Sequence, residues 1–199
     1  SVIQSWSQAF LFPCREDTAY EWYMQYAALK DTLSSRIKKE DKILVIDVVI
    51  LVGFVALDIL DLSEDLYRDG YGSITSCDYS NVVITKMKEK CSEKTGLKCM
   101  QEILNLWVGD VEDVHHLSYP DESFDVVIDK GTLDAVICGD ESVCDPDKVV
   151  SEVDRVLSKN GMFVCITFGM PENRMDYLQK PTLHWKVTHI SIRNLSFLY

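Results

Sequence analysis

The sequence predicts an α/β fold built on a doubly wound, mostly parallel sheet, with an antiparallel hairpin at its carboxyl end. Strand-like apolar runs alternate with amphipathic helical segments, which implies repeated βα units. The runs are continuous rather than alternating, as in strands buried on both faces, so helices must cover both sides of the sheet. With 199 residues, of which 47% are hydrophobic and 26% charged, the chain is sized for one core, and a single domain over 1–199 is expected.

From Glu16 to Glu40 the apolar positions Tyr26, Leu29, Leu33 and Ile37 recur at three- and four-residue steps and mark one helical face, ended by the charged run from Lys38 to Lys42. Ile43 to Ile46 reads as a buried strand, and Leu62 to Arg68 as a short helix closed by Gly70. Ile74 to Cys77 is a second strand, followed by a helix carrying Val83, Met87 and Cys91 that Ser80 caps. A third strand is expected near Leu104 to Val108, with Leu97 to Met100 competing for the same place. A turn at Pro120 to Ser123 introduces a fourth from Phe124 to Ile128.

Asp145-Pro146 is a cap and first-turn pair, and Val149, Val153, Val156 and Leu157 continue that helix to a stop at Asn160-Gly161. Met162 to Thr167 is a further strand. His184 to Ile192 and Leu195 to Tyr199 would pair across Arg193-Asn194 as the terminal hairpin, with its last strand cut short.

The 20 basic and 32 acidic residues give a formal charge of -12, which disfavours nucleic acid as a partner and favours a basic one. The seven cysteines form no C-x-x-C pair and read as reduced thiols, and the adjacent His115 and His116 lack a neighbouring cysteine pattern, so no metal is expected. The amino terminus carries no basic segment leading into an apolar one, so a cytoplasmic protein is expected. Ile43 to Leu60 is apolar apart from Asp47, Gly53 and Asp58, but the stretch without charge from Val48 to Leu57 falls well short of the roughly 20 residues that span a bilayer.

In a doubly wound sheet, ligands bind beyond the carboxyl ends of the strands, where strand order reverses. Three expected strands end on a carboxylate there: Asp78, Asp110 and Asp129. An acid at the end of the second strand can accept both hydroxyls of a ribose, although aspartate at such a place is also a common turn or cap residue.

The segment Phe124-Asp125-Val126-Val127-Ile128-Asp129-Lys130-Gly131-Thr132-Leu133-Asp134-Ala135 resembles the signature of class I S-adenosylmethionine-dependent methyltransferases, specifically the eukaryotic methyltransferase-like enzymes that modify lysines of translation elongation factor 1-alpha. Leu62 to Tyr67, Asp78-Tyr79-Ser80 and Glu21-Trp22-Tyr23 extend the similarity over about Tyr20 to Val187. The resemblance implies a Rossmann-like fold, S-adenosyl-L-methionine as cofactor, and an exposed lysine of a protein such as that elongation factor as acceptor. By the same resemblance Trp22 lies over the cofactor, Asp78 holds the ribose, and Tyr79 sits beside the adenine. Asp110 and the backbone of Val111 read the adenine amino edge, Lys130 borders the methionine end, and Asp129 and Asp134 shape the acceptor entrance. Methyl transfer from a sulfonium needs an aligned neutral amine more than a strong acid or base, and no residue is assigned as the catalytic base.

The family carries a glycine-rich loop of the type G-C-G-N-S after its first strand. Here the apolar stretch from Asp47 to Leu60 stands in its place, with Gly53 as its one glycine. Asp78 follows Ile46 by 32 residues, whereas the ribose acid normally follows the loop by about 20, so the region near 47–60 is read as an insertion. The segment Ser1 to Phe12 lacks the family's aromatic and arginine pattern. Two functions are therefore expected: an active methyltransferase, or a methyltransferase-like interaction protein that binds no cofactor. A nicotinamide dehydrogenase is disfavoured by the absent G-x-G-x-x-G loop.

Overall fold

The computed structural model describes residues 6–12, 26–47, 61–78, 107–111, 113–139, 144–167 and 169–191. In chain order the elements are β1 (Trp6–Phe12), α1 (Tyr26–Ser34), β2 (Lys42–Asp47), α2 (Asp61–Arg68), β3 (Ser73–Asp78), β4 (Trp107–Val111), β5 (Phe124–Lys130), α3 (Thr132–Cys138), α4 (Pro146–Val156), β6 (Leu157–Ile166), α5 (Glu172–Leu178) and β7 (Trp185–Ser191).

The strands form one sheet in the order β4-β3-β2-β5-β6-β1-β7. Each of its neighbouring pairs is parallel. From β2 the chain steps outward through β3 to β4, then returns to place β5 on the other flank of β2. The order therefore reverses between β2 and β5, and their carboxyl ends border the crevice that such a reversal opens.

The continuous apolar strands are explained by two cores, one on each face. Leu44 and Ile46 of β2 pack with Val127, Leu133, Val153 and Phe163, whereas Ile43 and Val45 pack with Leu29, Leu66, Tyr71 and Ile128. One residue in two goes to each side, so every position of Ile43 to Ile46 must be apolar. α4 begins as expected: the Asp145 carboxylate accepts the backbone N–H groups of Asp147 and Lys148, and Pro146 follows it. Capping of this kind is worth about 1 kcal/mol.

Several expected boundaries move. α1 ends at Ser34, and Ile37 is buried beyond it through a turn in which its N–H bonds the Leu33 carbonyl. α4 stops at Val156, and Leu157, expected on its stripe, opens β6. Asn160-Gly161 lies within β6, in a bulge where Phe124 pairs with Leu157 but Val126 pairs with Met162. A Cβ at Gly161 would come within 2.7 Å of Leu157 and 2.9 Å of the Asp125 carbonyl oxygen, so the glycine permits the bulge. β4 spans Trp107–Val111, shifted toward the carboxyl end of the expected run.

Nothing in the sequence announced β1, which sits between β6 and β7 and is parallel to both. The first arm of the expected hairpin is β7, and its second arm, 195–199, lies outside the described residues. So do the helix expected after Ser80, the competing strand at 97–100 and the apolar segment 48–60.

Candidate active site

The acids singled out in the sequence meet at one end of the sheet. Asp110 of β4 pairs with Cys77 of β3, Cys77 with Ile46 of β2, Ile46 with Asp129 of β5, and Asp129 with Cys165 of β6. One residue further, Val111 pairs with Asp78, and Lys130 pairs with Asp47 and Ile166. Asp78 is thus the last residue of β3, while Asp110 and Asp129 are next to last in β4 and β5. Asp78 and Asp129 lie on the two strands that flank β2, beside the reversal of strand order, and Asp110 lies one strand further out, on β4, at the same carboxyl end. Trp22 and Tyr79 lie outside the described residues.

The segment Asp129 to Asp134 ties the ends of three strands together. Gly131 adopts the left-handed conformation, with φ of 83°, that glycine tolerates best. Its N–H donates to the Ile166 carbonyl at the end of β6, at 3.0 Å. The Thr132 hydroxyl donates to the Ile46 carbonyl of β2, at 3.4 Å. Asp129 is buried, and its carboxylate accepts the N–H of Thr132 at 2.8 Å and of Leu133 at 3.2 Å, so it caps α3. The Cys165 thiol faces the same carboxylate at 3.4 Å. Burial pushes the Asp129 carboxyl up to about 7 against the lowering effect of these bonds, and burial next to Asp129 pushes the Cys165 thiol well up.

Asp134 is buried as well. Its Oδ1 accepts Arg174 Nη2 at 2.7 Å and Arg174 Nε at 3.0 Å, and also the hydroxyl of Thr167. Arg174 Nε also donates to Thr167 Oγ1 at 3.1 Å, and that oxygen accepts the Gly169 N–H at 3.0 Å. Removing one partner of such a buried pair typically costs about 3–5 kcal/mol, because the other charge is left uncompensated. Asp129 and Asp134, expected at an acceptor entrance, thus have oxygens engaged inside the fold. Lys130 is half-buried and engaged in contacts of its own.

Arg174, Thr167 and Gly169 were not singled out in the sequence. A signal existed for the first: Arg174 and Leu178 stand four apart on α5 and are both buried, so the arginine lies on a core-facing position where a charge demands a partner.

Comparison with known proteins decides the family. The family description "Methyltransferase domain" matches residues 52–191. This chain belongs to the methyltransferase family. It is 31% identical over 195 residues to a mouse protein described as EEF1A lysine methyltransferase 4, covering 94% of this chain and 69% of that protein. It is 37% identical over 160 residues to a human protein described as eEF1A lysine and N-terminal methyltransferase, covering 79% of this chain and 20% of the larger relative. Among solved structures, the YcgJ protein of Bacillus subtilis superposes with a TM-score of 0.51 at 16% identity, covering 82% of this chain and 63% of that one. The PH0226 protein of Pyrococcus horikoshii gives 0.50 at 22% identity, with coverages of 77% and 61%. These likenesses concern the Rossmann-like fold.

The methyltransferase fold and family make S-adenosyl-L-methionine the cofactor. At the carboxyl ends, where a doubly wound sheet takes its ligands, an aspartate ends β3 and another stands next to last in the neighbouring β4. Among the described residues no helix is long and apolar enough to cross a membrane.

Proposed function

We propose that this methyltransferase modifies a lysine side chain of a protein, and that the acceptor is elongation factor 1-alpha, encountered in the cytoplasm. The observation that carries the reading is the convergence of Asp78, Asp110 and the Asp129–Asp134 segment on one end of the sheet, in a chain similar to enzymes described as acting on that factor. The net charge of -12 favours encounter with a basic partner.

In this reading Asp78 accepts the ribose hydroxyls, Tyr79 flanks the adenine, and Asp110 with the Val111 backbone reads the amino edge of the base. Charge-assisted bonds of this kind are worth roughly 1.5–3 kcal/mol each. Trp22 covers the cofactor and Lys130 borders its methionine end. Asp129 and Asp134 shape the acceptor side through the turn they anchor. When bound, S-adenosylmethionine would supply a sulfonium methyl carbon open to in-line attack by a neutral lysine amine, the N–C bond forming as the C–S bond breaks and S-adenosylhomocysteine leaves.

Titration calorimetry with S-adenosylmethionine tests the cofactor half of this assignment, with micromolar binding expected and lost in Asp78→Ala. Transfer of labelled methyl groups to purified elongation factor 1-alpha tests the other half. A second reading, an interaction protein that keeps the sheet without binding cofactor, draws on the single glycine between Asp47 and Leu60. Absence of a binding isotherm in the unaltered chain would favour it.

A further inference from the structure

We propose that Arg174 is a positioning residue for the acceptor: through Asp134 and Thr167 it latches the chain leaving β6 onto the start of α3, and so fixes the acceptor side of the crevice. The inference rests on the methyl-transfer reading above and extends it to a residue of α5 that bonds Asp134, Thr167 and the Asn173 carbonyl.

The latch joins three pieces of chain that meet only through folding. Asp134 lies in the first turn of α3, directly after the Gly131-Thr132 turn bonded to the ends of β6 and β2. Thr167 is the first residue past β6, and its hydroxyl oxygen also receives the Gly169 N–H. Arg174 comes from α5, whose entry follows this segment at Pro171. All three side chains are buried, with Arg174 and Asp134 each 7% exposed. Outside water, a charge-assisted cluster of this kind has few alternative arrangements, so the backbone carrying it is held in one place.

Gly169 supplies an independent line of evidence. A Cβ built there would lie 2.2 Å from the Arg174 Cζ and 2.3 Å from its Nη2. The guanidinium therefore occupies the space beside Gly169 that the Cβ of any other residue would fill.

The latch lies on the β5–β6 flank of the reversal, and the proposed ribose and adenine acids lie on the β3–β4 flank. Disturbing it should therefore act on the acceptor far more than on the ribose and adenine contacts that hold the cofactor. A general loss of structure would affect both.

The test compares Arg174→Met, Arg174→Lys and Gly169→Ala with the unaltered chain. Gly169→Ala keeps the arginine while displacing its head, and so remains informative if Arg174→Met fails to fold. For Arg174→Met and Gly169→Ala, kcat/KM toward elongation factor 1-alpha should fall on the order of a hundredfold, while the calorimetric Kd for S-adenosylmethionine stays within about twofold. Arg174→Lys restores one charged donor and should recover part of the loss. Hydrogen exchange should accelerate in peptides spanning 167–178 and remain unchanged in β2 and β3. Equal losses in cofactor and acceptor binding, or unaltered exchange at 167–178, would overturn the latch. If the unaltered chain binds cofactor but does not methylate this factor, the acceptor assignment fails, and the exchange measurement alone then decides the latch.

Discussion

Burial of Asp129 sets a pH dependence that can be worked out at a single residue. Its carboxyl is pushed up to about 7, above its value in an unfolded chain, because losing water outweighs the bonds from Thr132, Leu133 and Cys165. The folded state therefore binds more protons than the unfolded state between about pH 4 and pH 7, and stability falls as pH rises through that window. Asp129→Asn removes the titration while keeping one acceptor for the α3 amides. The expected outcome is a flatter stability-versus-pH curve, with the two proteins diverging by up to a few kcal/mol across the window. Urea unfolding at several pH values measures this, and parallel curves would show that Asp129 is ionised throughout. Residue-scale chemistry was partly legible in the sequence. An acid after an apolar run is a local pattern, so Asp78, Asp110 and Asp129 could be picked out directly. That Asp129 spends its oxygens on its own helix and Asp134 on Arg174 depends on which distant segments fold together, and 40 residues separate the last two.

Individual elements show where local signals prevail and where packing overrides them. Asp145-Pro146 marks the start of α4 correctly because capping is settled by neighbouring backbone groups. Asn160-Gly161 misleads, since the same dipeptide that stops a helix also suits a strand bulge, and the choice falls to the cross-strand pairing of β5 with β6. Gly161→Ala tests the bulge. The added methyl meets both Leu157 and a carbonyl oxygen, and backbone cannot move aside as a flexible side chain can. A loss of about 1–3 kcal/mol is expected by chemical denaturation. A neutral substitution would mean that the bulge relaxes freely. β1 was not legible for a related reason: a strand is fixed by the neighbours it packs between, and Trp6 to Phe12 lie far in sequence from both β6 and β7.

At the scale of the molecule, the doubly wound sheet follows from the alternation of buried strands and helices, and its reversal point brings together acids that are far apart in the chain. A ligand that binds there and not to the unfolded chain must stabilise the whole fold, by about 2.7 kcal/mol at a concentration one hundred times its Kd. For a chain of this length each kcal/mol raises Tm by roughly 2–4 °C, so S-adenosylmethionine at that excess should raise Tm by about 5–10 °C. Thermal melts followed by circular dichroism give the measurement, and the two flanks of the reversal make the result specific. Asp78→Ala should lose the shift, because its carboxylate is the proposed ribose acceptor. Arg174→Lys should melt lower without ligand yet gain nearly the full shift, because its latch lies on the opposite flank. If cofactor leaves Tm unmoved in the unaltered chain, the segment between Asp47 and Leu60 fails as a cofactor loop, and the sheet serves as a binding scaffold instead.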